Sequence, residues 1–171
     1  MPLPQIPLVA TTDVVFRVNV DPSRCQTVSN FDLNTDTERP TQFNGSAVDD
    51  RSVRTETTSA QDTQPPIFEG GDSLPSLAPS ERIVCLTVAG NQEELQTRSQ
   101  AALTDAGWFV TATAKTTAYM LAGVVQPHDV VPAEGLGTRD SGDYQVSAVT
   151  HIINAADHQM EVQLRRNSFG K

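Results

Sequence analysis

The sequence predicts a mainly β protein of the α+β class, with antiparallel sheets or a partial barrel, one helix at about residues 91–106 and a long polar loop region. Three observations predict it. Apolar and polar residues alternate in several stretches, longest from Tyr144 to Asn154 and from His158 to Asn167, which is the two-residue period of a half-buried strand. A single window, Leu95, Ser99, Ala102, Leu103 and Ala106, carries helical spacing instead. Finally, residues 37–80 hold 12 Ser/Thr and five prolines with few large apolar side chains, a composition that buries too little surface to offset its own ordering.

Taken in order, Val14, Phe16, Val18 and Val20 share one face of a first strand. Asp21-Pro22-Ser23 closes it as a turn, since Pro lacks the donor that a ladder needs. Cys25 to Leu33 forms a second strand around Val28 and Phe31. The 37–80 stretch reads as extended loops with at most one short strand, anchored by Phe43 and by Ile67-Phe68. Ile83, Val84, Cys85, Leu86 and Val88 mark a largely buried strand. Asn91 then caps the helix, Glu93 and Glu94 complement its positive end, and Gly107 stops it. Trp108–Ala114 reads as a strand, Tyr119–Val125 as an apolar segment and Asp129–Val131 as a short strand. Gly135, Gly137 and Gly142 make a structural turn. The last two strands, joined by Ala155-Ala156-Asp157, form a β-hairpin in which Met160, Val162 and Leu164 face one way and Glu161, Gln163 and Arg165 the other. The organisation that follows is N-terminal strands over 1–36, a Ser/Thr/Pro-rich loop or linker over 37–80, and a β-rich domain with one helix over 81–171.

Composition excludes several function classes. Twelve Lys+Arg against 21 Asp+Glu give the 171 residues a formal charge of −9, so specific nucleic-acid binding, which requires a cationic face, is not expected. No apolar run reaches the length of a membrane span, and Met1-Pro-Leu-Pro lacks the basic start of a secretory signal. Cys25 and Cys85 have no metal-ligand spacing and read as free thiols of a chain made in a reducing cytosol.

Each constellation that could carry chemistry has a plainer reading. The Gly135-x-Gly137-x-x-x-x-Gly142 loop precedes a strand rather than a helix, and Asp140 and Asp143 would repel a phosphate. His151 and His158 lie on facing arms of the hairpin but fall short of the three or four ligands of a zinc site, and His128 is remote in sequence. Ser141, His151 and Asp157 can be nominated as a triad, without the strand-turn-helix elbow that would support it. Asp49-Asp50 read as loop charge, and Glu93-Glu94 as the helix-dipole complement. No catalytic, cofactor-binding or metal residue is assigned, and no cofactor is expected.

From Glu81 onward the order of features resembles a known family. A strand leads into a helix ending at Gly107-Trp108, followed by Pro127-x-Asp-Val-Val131, the turn Gly135-Leu-Gly137, then Ser141-Gly142-Asp-Tyr144-Gln-Val146-Ser-Ala-Val149-Thr-His151, and a final strand closing on Arg165-Arg166-Asn167. This is similar to the C-terminal part of the phage late control protein D family, the baseplate hub proteins of contractile tails, with relatives in extracellular contractile injection systems and in VgrG proteins. Ser29-Asn-Phe31-Asp-Leu with Arg39-Pro40 looks like that family's middle region.

The resemblance implies a non-enzymatic structural subunit, made in the host cytoplasm and located in a virion baseplate or an extracellular injection particle. It implies a homotrimer that links the tail tube protein to the central spike protein and touches other baseplate proteins. Family members are longer than this chain, which implies an N-terminal domain missing, truncated or replaced. Met160, Val162, Leu164, Arg165, Arg166 and Asn167 are the expected subunit-contact strand, read as an edge that pairs with a neighbour. Two alternatives stand beside this reading: a β-domain that binds carbohydrate or protein through the 37–80 loops, and a small serine hydrolase using Ser141 and His151.

Overall fold

A computed structural model describes residues 13–20, 24–49, 54–61, 71–77, 81–85 and 92–170. The N-terminal segment, the Asp21-Pro22-Ser23 turn, the anchors Ile67 and Phe68, and the helix cap Asn91 lie outside these residues. In chain order the first elements are β1 (Phe16–Arg17), β2 (Asn30–Thr35), β3 (Gln42–Asp49), β4 (Arg54–Gln61), β5 (Asp72–Ser73), α1 (Leu74–Leu77) and β6 (Glu81–Cys85). There follow α2 (Gln92–Ala106), β7 (Val110–Thr117), α3 (Ala118–Leu121), β8 (Val130–Glu134), α4 (Gly137–Asp140), β9 (Gly142–Ile153), β10 (His158–Arg166) and β11 (Ser168–Phe169). The protein is mainly β, of the α+β class. Its described residues divide into two compact units, one within residues 13–35, Gly71 and 110–170, the other within residues 36–61 and 72–109. The helix α2 belongs with β3 and β4 in the second of these units.

The larger unit is built on a six-stranded sheet in the order β1-β8-β9-β10-β7-β2. Only β1 and β8 run parallel; the other neighbours are antiparallel. The first strand is shorter than its alternation suggests because Asn19 takes a left-handed φ of 48° and turns the chain. Phe16, at 0% exposure, and Val18, at 8%, still point inward. What holds this segment is Thr27: its hydroxyl accepts from Arg17 N at 2.8 Å and donates to Val15 O at 2.7 Å. The Thr27 carbonyl in turn accepts from the buried Thr116 hydroxyl at 2.6 Å. A chain too short to form a full ladder is thus tied to β7 by side-chain bonds.

The core of this unit follows the pairing register. Met160, Val162, Leu164 and Arg166 of β10 stand opposite Thr116, Ala114, Ala112 and Val110 of β7, and all eight are buried. Along β9 the same face is kept by an irregularity. Leu164 pairs with Val146, Gln163 with Ala148 and Val162 with Val149, so Ser147 is the extra residue of a bulge. A bulge reverses the alternation. It lets Val146 and Val149, three apart, lie on one face, and the spacing Tyr144, Val146, Val149, His151 is explained by it.

The smaller unit contains a three-stranded sheet, β4-β3-β6, with β3 and β4 antiparallel and β3 and β6 parallel. Two eight-residue strands thus occupy a stretch where the sequence suggests at most one short strand. Phe43, Ala60 and Leu103 form the packed cluster between this sheet and α2. Leu95, Ser99 and Leu103 are the buried face of the helix, as its spacing predicts. Gly107 ends the helix without a left-handed conformation: its N–H still bonds to Leu103 O at 2.9 Å, and φ is not among the positive ones. The terminal carbonyls are met by Arg39, whose Nη1 donates to Asp105 O at 3.3 Å and Trp108 O at 3.1 Å. A guanidinium there also complements the negative end of the helix dipole.

Candidate functional site

In the larger unit, β10 lies between β7 and β9 and is paired on both sides. The expectation that Met160–Asn167 is an edge offered to another subunit is therefore corrected. Alternating hydrophobicity marks a buried face but does not tell a central strand from a marginal one. Met160, Val162, Leu164, Arg166 and Asn167 are all buried inside one copy of the chain. The edges of this sheet are β1 and the six-residue β2.

The two arginines of that strand act within the fold. Arg165 Nε donates to Gln145 Oε1 at 2.9 Å on the neighbouring β9. Arg166, 0% exposed, donates from Nη1 to the carbonyls of Asp140 and Ser141 at 3.0 and 3.1 Å, and from Nη2 to Gly170 O at 2.5 Å. Its guanidinium carbon lies 5.2 Å from the centre of the Tyr144 ring, and the Tyr144 hydroxyl donates to Asp140 O at 2.7 Å. Burial draws the Arg166 pKa below its ordinary value, partly offset by Tyr144 and the nearby aspartates. Burial likewise raises that of Tyr144, which Arg166 opposes. Arg166, near the close of the sequence pattern, is thus part of an internal clamp between the glycine turn and the C-terminal strand, and Asn167 beside it is buried. Arg139, stacked 3.9 Å over the Phe169 ring, adds to it from the outer side.

The glycine turn is a connection and offers no anion cradle. Gly135, Gly137 and Gly142 have φ of 87°, 89° and 130°. The helix α4 between them is a single turn with Asp140 in it, and the Leu136 N–H is already bonded to Ser141 Oγ at 3.1 Å. That bond also engages the proposed nucleophile. Ser141 stands just before β9 and His151 near its far end, and ten residues of extended chain span about 33 Å. The nominated triad of Ser141, His151 and Asp157 does not assemble, which removes the basis of the hydrolase reading.

The far end of the β9–β10 hairpin gathers the most exposed chemistry of this unit. Asn154 Oδ1 accepts from the N–H groups of Ala156 and Asp157, each at 2.9 Å, and shapes a tight turn. Beside it Ile152 and Ile153 are 51% and 73% exposed. Tyr119, on the one-turn helix α3 that follows β7, is 92% exposed. His151 stands opposite Met160 and His158 opposite Ile153, so the two imidazoles lie diagonally on one face. His151 Nδ1 and His158 Nε2 are 3.0 Å apart. His128, with φ 77°, is exposed elsewhere.

The smaller unit carries a shallow depression lined by Asn44, Gly45, Ser46, Thr57, Thr58 and Ser59. Its lining provides hydroxyls and one amide but no acid, base or aromatic ring, so it can offer hydrogen bonds but no proton transfer. Glu93 and Glu94 begin α2, where Glu94 pairs with Arg98 at 2.5 Å. The side chain of Asp49 and all of Asp50 lie outside the described residues, as does the side chain of Cys85; Cys25 is an exposed free thiol. Among the described residues no three His, Cys, Asp or Glu side chains cluster as a metal cage, and no helix is long and apolar enough to cross a membrane.

No known protein family matches the chain, and no curated protein sequence matches it either. Solved structures do. The chain is similar to the 43 kDa tail protein of prophage MuSo2 from Shewanella oneidensis, with a TM-score of 0.57 and 11% identity over 92% of this chain. It is also similar to the tail protein from Neisseria meningitidis MC58, with a TM-score of 0.55 and 16% identity over 91% of this chain. It spans 43% and 45% of those two proteins, less than half of each. At such identities the likeness is one of fold.

Proposed function

We propose that this chain is a structural subunit of a contractile phage tail or of a related injection particle, acting in the baseplate hub as part of a trimeric ring between the tail tube and the central spike. The observation that carries the reading is the likeness of fold to two proteins described as tail proteins, which extends over more than nine-tenths of this chain. The ordered features from Glu81 to Asn167 support the narrower hub assignment, and the bulge at Ser147 gives their spacing a physical meaning. Self-association draws on surfaces other than β10. The β2 edge leaves one side of its ladder open within its sheet, and unpaired strand edges recruit further strands. Ile152, Ile153 and Tyr119 add exposed apolar area at the hairpin end. The subunit does no chemistry of its own and works inside the assembled particle.

The test is mass measurement of the full chain in solution, alone and with tail tube and central spike proteins of the same source, together with mass spectrometry of purified particles from that source. The expected result is a trimer that joins those partners and is found in the particles. A chain that stays monomeric with both partners and is absent from the particles overturns the proposal. A second reading, recognition of a carbohydrate or protein by the 37–80 region, draws on the hydroxyl-lined depression of β3 and β4. A glycan array on which the isolated chain binds one sugar class would favour it.

A further inference from the structure

We propose that His151 and His158 form a chelating pair for a divalent transition metal, copper(II) ahead of nickel(II) or zinc(II). The pair stands on β9 and β10, whose register fixes both rings on one face of the hairpin end. The nitrogens that face each other, Nδ1 of His151 and Nε2 of His158, are 3.0 Å apart. The ring planes are splayed by 47° with centroids 5.1 Å apart, so the rings are not stacked face to face.

The 3.0 Å separation is that of one imidazole hydrogen-bonded to the other, and a small rotation of the two accessible rings aims both facing nitrogens at one ion held by bonds of about 2.0–2.1 Å. Among divalent first-row ions copper(II) is bound most tightly by such nitrogen ligands, so copper is the expected ion. In the metal-free pair one ring donates its N–H to the other. On binding, that ring shifts its proton to its own second nitrogen, so both facing lone pairs turn to the metal and the neutral imidazoles lose no proton. Both positions are solvent-accessible, and water can complete the coordination sphere. Among the described residues no third His, Cys, Asp or Glu joins the cluster, so the ion is held by two protein ligands and its affinity is below that of a three- or four-ligand centre.

The experiment titrates the full chain with copper, nickel and zinc chlorides at neutral pH by calorimetry, and records copper electron paramagnetic resonance at one equivalent. The variants are His151→Gln, His158→Gln and the control His128→Gln, each checked for an unchanged circular dichroism spectrum. The expected result is a copper site whose spectrum shows two coupled nitrogens, lost or weakened at least tenfold in either hairpin variant and unaffected in the control. Copper should bind more tightly than nickel or zinc. A parent chain that binds no copper, or a copper site that survives in both hairpin variants, overturns the proposal. Because the readout needs only the isolated chain, it stands or falls separately from the tail assignment.

Discussion

Gly45 on β3 lies so near Ser99 on α2 that a Cβ at position 45 would stand 2.9 Å from the Ser99 hydroxyl oxygen, with Thr58 Cγ2 at 3.2 Å and Leu95 Cδ1 at 3.3 Å. The helix reaches the sheet here because both partners are small. Ser99 is 3% exposed, and its hydroxyl has no hydrogen-bond partner.

Ser99→Ala should stabilise the smaller unit by about 1 kcal/mol, since it removes a buried unpaired hydroxyl and improves helix propensity. Gly45→Ala should destabilise it by about 1–2 kcal/mol through overpacking. The double variant should recover at least about 0.5 kcal/mol relative to the sum, because the shortest contact is gone. Urea unfolding followed by the fluorescence of Trp108, the sole tryptophan and a member of the same unit, measures all three. Strict additivity would mean that the contact at 2.9 Å is not what limits position 45.

Gly135 and Gly137 share a left-handed backbone but not a neighbourhood. A Cβ at Gly135 would lie 1.6 Å from the carbonyl oxygen of Val18, whereas one at Gly137 meets nothing within 4 Å. Gly137→Ala should therefore lose only the conformational term, about 1–2 kcal/mol, and stay folded. Gly135→Ala should separate the chain after β1 from β8, with a loss of about 3 kcal/mol or more, or no folded protein. Thermal melts of the two variants make the comparison, and equal melting temperatures would contradict it.

The Tyr144 phenol is held above its ordinary pKa of 10.0 by burial. The folded state thus binds this proton more tightly than the unfolded chain does. Its contribution to stability is complete below about pH 10 and is lost as pH rises through the folded value. At pH 8, Tyr144→Phe should be less stable than the parent by about 1 kcal/mol, the worth of its bond to Asp140 O. The gap should narrow as pH climbs past 10. Urea midpoints from circular dichroism at pH 8, 9.5 and 10.5 test this, and a gap that does not change with pH would contradict it.

The hairpin of the larger unit and the helix of the smaller one were legible because their patterns are long and regular. The β9–β10 hairpin follows from two alternating runs and a short joint, and α2 from helical spacing that includes Leu95, Ser99 and Leu103. The strands β3 and β4 were hidden by their residues. Of the strand positions whose side chains are described only Phe43 and Ala60 are buried hydrophobic ones, and the rest are Gln42, Asn44, Gly45, Ser46, Thr57, Thr58 and Ser59, types that composition assigns to loops. Thr55, Thr57 and Thr58 are β-branched, however, and that signal was present. Thr117 shows a different limit: the hydroxyl accepts from Met120 N at 3.1 Å and starts a helical turn, which an apolar segment does not announce. The pairing of β10 on both sides depends on β7, which lies far from it in sequence, and no local pattern carries that information. The His151–His158 approach was conditional on register, and the register resolves it.

The pairing of Thr35 with Val110 is continued by the bond from Asp36 N to Phe109 O at 2.9 Å. The β2–β7 ladder thus runs one rung past its last paired residues. Bringing together two strands so remote in sequence has an entropic cost that rises only slowly with the length of chain between them. Each further main-chain bond at this end offsets part of that closure, which is why the ladder gains by continuing past Thr35 and Val110.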